Sequence, residues 1–154
     1  MLFRSQLNYN FSYNQNWSLT HLNVFADENR SREIILQYNK SNKQVIDEFK
    51  VSFPENINIL YDASGGRGTE IKEVLPPFKK FTGYAGGITD KNIDGICKII
   101  TNHSDNSTVW IDMESGVRTN DIFDLEKTIA VLNVCRQYVS PLMNEKCGVG
   151  KKIA

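Results

Sequence analysis

The sequence predicts an α/β protein built on a parallel sheet. Short runs rich in β-branched and aromatic residues alternate with segments of helical periodicity, which is the pattern of repeated strand-crossover-strand units. The unit length is about 30 residues, as such a crossover requires. Runs such as Ile57-Asn58-Ile59-Leu60-Tyr61 and Val109-Trp110-Ile111-Asp112-Met113 are apolar almost throughout, which suits strands covered on both faces.

Strands are expected at Leu2–Tyr9, Glu33–Tyr38, Ile57–Tyr61, Phe81–Ala85 and Thr108–Met113. Between them the periodicity predicts helices over Asn42–Phe49, Glu70–Lys79 and Lys91–Thr101, with a last one over Phe123–Tyr138 and a short one over Trp17–Phe25. In the last, Phe123, Leu125, Ile129, Leu132 and Val134 or Cys135 fall at helix-compatible spacings. Residues 1–142 are read as one domain and 143–154 as a tail. Such a repeat is compatible with a doubly wound sheet or with part of a barrel. A nucleotide-binding doubly wound domain is disfavoured, because no GxGxxG follows the first strand.

Bulk composition narrows the partners. Among 154 residues, 40% are apolar and 23% charged, and Lys plus Arg balances Asp plus Glu at 18 each. No overall field would draw in nucleic acid or an anionic membrane, so any anion site has to be local. Cys97, Cys135 and Cys147 show no CxxC spacing, and their odd number argues against a disulfide framework. They read as packing or surface thiols in a reducing, cytoplasmic setting. No window reaches the ~18 apolar residues of a membrane span, and no secretory h-region opens the chain. His21 and His103 read as surface residues in irregular segments, and nothing predicts a metal or a cofactor.

The ends of the strands carry the chemistry. Polar and glycine residues recur there: Asn8; Gln37 and Asn39; Asp62 followed by Gly65, Gly66, Arg67 and Gly68; Gly86 and Gly87; Glu114, Ser115, Gly116 and Arg118. In parallel α/β folds that rim builds the active site. A carboxylate such as Asp62 in a partly desolvated strand-end pocket can act as a proton donor. The two strand-to-glycine turns, Gly86-Gly87 and Ser115-Gly116, can aim backbone N–H groups at one phosphate. Thr89 or Asp90 is the expected N-cap of the helix after the first of these turns. The plainer reading of each motif by itself is a tight turn or a helix cap.

Taken in order, the motifs resemble the second half of the phosphoribosylanthranilate isomerase family. They match its strand-six Asp with a Gly-Gly-x-Gly loop (Asp62, Gly65, Gly66, Gly68), its Ala-Gly-Gly turn with a nearby Asn (Ala85, Gly86, Gly87, Ile88, Asn92), and its Ser-Gly-Val turn (Ser115, Gly116, Val117). Asp124-Leu125-Glu126-Lys127 resembles the start of that family's last helix, and the likeness runs from about Ile57 to Leu132. It implies a partial (β/α)8 barrel holding about strands four to eight, with the earlier strands outside the chain. It implies a phosphosugar-like small-molecule ligand, Asp62 as general acid, and a phosphate site at Gly86, Gly87, Ser115 and Gly116 aided by Gly65, Gly66, Arg67 and Arg118. Asn8, Gln37, Asn39 and Glu114 would line the pocket.

Two features depart from the family pattern. The family's base is a cysteine on strand one, which has no counterpart here. Glu114 stands where a small polar residue is usual, so either Arg118 or Arg67 neutralises it or the ligand is not a phosphate. A non-catalytic or vestigial binding module is the alternative. A five-stranded barrel segment also has two open edges, at Leu2–Tyr9 and Thr108–Met113, so the chain is expected to self-associate through them, to aggregate, or to be stable only with its missing N-terminal segment.

Overall fold

The computed structural model describes residues 4–7, 18–49, 52–63, 74–78, 81–103 and 107–139. Strands β1 (Arg4–Leu7), β2 (Glu33–Tyr38), β3 (Ile57–Asp62), β4 (Phe81–Ala85) and β5 (Thr108–Ile111) form one sheet in the order β1-β2-β3-β4-β5. All four pairings are parallel. Helices α1 (Leu19–Glu28), α2 (Lys43–Phe49), α3 (Ile93–His103) and α4 (Leu125–Cys135) flank it.

Register decides which side chains meet which layer. Tyr38, Tyr61, Tyr84 and Ile111 are paired across four strands. All four join the clusters that contain helix residues: Leu22 and Ala26 of α1, Ile46 of α2, and Ile93, Ile96, Cys97 and Ile100 of α3. Side chains alternate along a strand, so the row one residue earlier, Gln37, Leu60, Gly83 and Trp110, lies on the opposite face. There Ile35, Leu60, Ala85 and Trp110 form a separate cluster. The described helices therefore all lie on one face of a sequentially ordered sheet, unlike a doubly wound fold, whose helices cover both.

On the helix face the tyrosines form a ladder. The Tyr38 and Tyr61 rings meet edge to face at 5.0 Å, and those of Tyr61 and Tyr84 lie 5.6 Å apart. Two of the hydroxyls end on polar partners, as buried phenols require: Tyr38 Oη donates to the Asp47 carboxylate and Tyr84 Oη to the Leu75 carbonyl at 2.7 Å. Burial, with the Asp47 charge adding to it, pushes the Tyr61 phenol up to about 12.

The expected helix over Glu70–Lys79 is corrected where it can be seen: residues 74–78 are irregular. Pro76 and Pro77 explain this, because a residue before proline is driven out of the α region and proline itself lacks the N–H donor. The segment still covers the sheet, with Leu75 and Phe78 packed against one cluster and Val74 against the other. The Val109–Met113 run is also corrected. Strand β5 ends at Ile111 and is half-buried along its length, because it is an edge strand rather than one covered on both faces.

The last helix starts at Leu125, capped by Asp124, which accepts from the Lys127 amide at 3.0 Å. Phe123 belongs instead to a small hairpin, β6 (Arg118–Thr119) with β7 (Ile122–Phe123). Asn120 and Asp121 turn it at φ 52° and 61°, the positive values that a two-residue hairpin turn needs. The helical spacings at Leu125, Ile129 and Leu132 mark an exposed stripe, while Val131, Val134 and Cys135 pack inward. His21 and His103 are exposed as expected, but on α1 and α3 rather than in irregular segments.

Gly83 is where the helix-free face is tightest. A methyl group there would stand 2.3 Å from Cε2 of Trp110 and 2.7 Å from Cδ1 of Leu60. Trp110 is also held against Phe81, ring centroids 4.4 Å apart. Gly83→Ala is expected to destabilise the fold by about 1–3 kcal/mol through overpacking, read as a lowered urea midpoint with unchanged slope.

Candidate functional site

The C-terminal ends of the strands bring most of the described sequence-predicted residues to one rim. Asp62 is the last residue of β3 and is buried. It pairs with Ala85 at the end of β4, in the row directly above Leu60 and Gly83 on the helix-free face. The Gln37 carboxamide, from the neighbouring strand and one row below, donates to Asp62 Oδ2. Gln37 thus holds the carboxylate.

After β4 the chain turns through Gly86 (φ 98°) and Gly87 (φ 59°). Side chains rarely tolerate two such consecutive values, which is why glycine occupies both. A clasp closes the turn: Asn92 Oδ1 accepts from the Thr89 amide at 2.7 Å, and Asn92 Nδ2 donates to the Gly87 carbonyl at 2.9 Å. Thr89, an expected cap, lies ahead of α3, its hydroxyl accepting from the Lys91 amide at 3.3 Å and its carbonyl from the Ile93 amide.

The same clasp closes the loop after β2. Asn42 Oδ1 accepts from the Asn39 amide at 2.8 Å and Asn42 Nδ2 donates to the Gln37 carbonyl at 2.7 Å. Asn39, expected to line the pocket, is bound within its own loop. Its side-chain oxygen accepts from the amide and hydroxyl of Ser41 at 2.9 and 2.8 Å, a local turn of the kind Asn favours.

The turn after β5 meets the glycine turn after β4. Ser115–Val117 form a single 3-10 turn, and a methyl group on Gly116 would lie 1.8 Å from the Ile88 carbonyl oxygen. Only a residue without Cβ permits that approach. The Asp112 amide, beyond the end of β5, donates to the Tyr84 carbonyl at 2.9 Å and keeps the two strand ends together.

Acidic groups gather on this rim. Glu114 pairs with Arg118 at 3.2 Å, so the guanidinium offsets the carboxylate that departs from the family pattern. Both side chains are exposed, and such a pair contributes little stability. Asp112 is an exposed residue, yet partial desolvation by the protein side of its surroundings raises its carboxyl pKa, and the charges of Asp62 and Glu114 raise it further.

Gly65, Gly66, Arg67 and Asn8 lie outside the described residues. Asp112 was not singled out from the sequence, although its parity with Trp110 places it on the helix-free face beside Asp62. Asn42 and Asn92 were not assigned as clasps; their signal is an Asn five residues beyond the carbonyl each one binds. Among the described residues no group of three His, Cys, Asp or Glu side chains is placed to hold a metal, and no helix is long and apolar enough to cross a membrane. Comparison of the chain with protein-family models, curated proteins and solved structures finds no match.

Two outcomes test this geometry. Gly116→Ala has to push the β5 turn away from Ile88, so it is expected to cost about 3 kcal/mol, the upper end for overpacking, by chemical denaturation. For Asp112, a folded-state pKa above the unfolded one means that the native state holds its proton more tightly, and its contribution to stability falls as pH rises through that interval. Asp112→Asn should therefore raise the urea midpoint at pH 7. It should leave the midpoint unchanged below the unfolded pKa, near pH 3.

Proposed function

We propose that this chain binds a phosphorylated sugar at the C-terminal rim of its sheet, as a protein similar to phosphoribosylanthranilate isomerase. The observation that carries the reading is the contact of the Ser115-Gly116 turn with the Gly86-Gly87-Ile88 turn. It brings two glycine turns to one place, beside a buried strand-end carboxylate held by Gln37. Five parallel strands in sequential order with helices on one face suit a barrel wall, and in such barrels the phosphate site lies after the last two strands.

In that chemistry a general acid opens the ribose ring by protonating the ring oxygen as the C1–O bond breaks. The nitrogen on C1 forms a C=N bond as C1–O breaks, a base then takes the C2 proton to give an enaminol, and protonation at C1 with loss of the C2 hydroxyl proton leaves the amino-ketose. Asp62 is the residue proposed for the acid. Gly86, Gly87, Ser115 and Gly116 are proposed for the phosphate, with Arg118 steadying Glu114 beside them.

Binding without turnover is the second reading, and the cysteines favour it. Cys97 is buried in α3, where burial and the neighbouring Cys135 push its thiol up to about 12, and Cys135 lies on α4. Neither thiol belongs to a strand end, so the cysteine base has no counterpart among the described residues.

Titration with ribose 5-phosphate, followed by amide chemical shifts, is expected to perturb Gly86, Gly87, Ser115 and Gly116 together. Gly116→Ala should abolish that response, and shifts elsewhere or none at millimolar ligand would count against the reading. In a form joined to strands one to three of a family barrel, Asp62→Asn should lower kcat by ~10²-fold or more if Asp62 is the acid. Binding retained with no turnover in the unsubstituted form would favour the second reading.

A further inference from the structure

The packing of α4 against α3 brings two thiols together. Cys97 of α3 is buried and Cys135 of α4 is half-buried. Both belong to the apolar cluster that contains Ile93, Ile96, Ile100 and Val131. A hydrogen bond joins the two thiols across the helix interface.

A second contact fixes the same interface. Tyr138, in the 3-10 turn that continues α4, donates from its hydroxyl to Asp94 Oδ1 at 2.6 Å, and Gln137 Nε2 donates to the same oxygen at 3.3 Å. Asp94 is held in turn by Lys98 Nζ at 2.7 Å. Asp94 and Cys97 are three residues apart on one segment, as are Cys135 and Tyr138 on the other, so each pair lies along one side of its helix. The tyrosine contact therefore keeps the two thiols in register.

We propose that Cys97 and Cys135 form a reversible disulfide that clips α4 to α3, made by exchange with a low-molecular-weight disulfide such as oxidised glutathione. Cys135, the less buried thiol, reacts first. Its thiolate attacks one sulfur of the small disulfide, which gives a mixed disulfide and releases one small thiol. The Cys97 sulfur then attacks the Cys135 sulfur, the protein S–S bond forms and the second small thiol leaves. Two electrons pass from the cysteines to the small disulfide, and their two protons depart with the released thiols. Exchange in the opposite direction reopens the clip. Burial and the neighbouring Cys135 push the Cys97 thiol up to about 12, so closure is the slow step, because the thiolate is the attacking form. The clip fastens a cluster that also receives Ile88 and Val117 from the two rim turns. By closing a loop of chain it restricts the unfolded state, so the oxidised form resists unfolding more.

Cys147 lies outside the described residues, and removing it isolates the pair. A 154-residue Cys147→Ser chain is incubated with oxidised glutathione under native conditions, then treated with N-ethylmaleimide. Its intact mass is expected to fall by two hydrogens, with no maleimide added. Peptide mapping of the unsubstituted chain should find Cys97 joined to Cys135. The urea midpoint should rise on oxidation and return with dithiothreitol, whereas Cys135→Ser should show no rise and Cys97→Ser should stop at a glutathione adduct on Cys135. If a variant at Cys97 or Cys135 fails to fold, the mass of Cys147→Ser and the mapped link decide by themselves. Two maleimides on Cys147→Ser, an adduct that persists there on Cys135, a link to Cys147 in the unsubstituted chain, or a midpoint unchanged or lowered by the bond overturns the proposal.

Discussion

Everything described rests on the register of four parallel strand pairings. Side chains alternate along each strand, so a slip of one residue would exchange the two faces of the sheet. With Tyr38, Tyr61, Tyr84 and Ile111 in one row, the large rings stack under the helices. The adjoining row of Gln37, Leu60, Gly83 and Trp110 then builds the opposite face. Gly83 is needed in that row because the Trp110 indole occupies the space its side chain would fill. The same register sets Asp62 beside Ala85 at the rim, within reach of the Gln37 amide.

The rim combines two tendencies that oppose each other. Glycine turns and backbone donors suit an anion, yet Asp62, Asp112 and Glu114 concentrate negative charge around them. The Arg118 pairing offsets one of these carboxylates. Desolvation raises the carboxyl pKa of Asp112, and the charges of Asp62 and Glu114 add to it. An anionic ligand arriving here would raise it further, so ligand and proton uptake would be linked.

The parallel sheet was legible in the sequence because alternation of apolar runs with helical periodicity is a signal summed over many residues. Strands at Glu33 and Phe81 agree with expectation from end to end. What failed was local chemistry competing with that signal. Pro76 and Pro77 override an apolar spacing that looks helical, and Asn120-Asp121 converts the start of an expected helix into a hairpin. At the site, residue types at the strand ends were readable, but their partners were not. That Gln37 serves Asp62 and that Gly116 touches Ile88 depend on contacts between elements distant in sequence.

The paired asparagine clasps bear on how such a rim can change over time. Asn42 and Asn92 each close a loop by gripping backbone atoms, an amide and a carbonyl, and make no demand on the side chains between. The intervening Lys40 and Lys91 are exposed. Substitutions there leave the loop's own fastening intact, so the rim can vary with little loss of foldability, a form of evolvability set by two amide side chains.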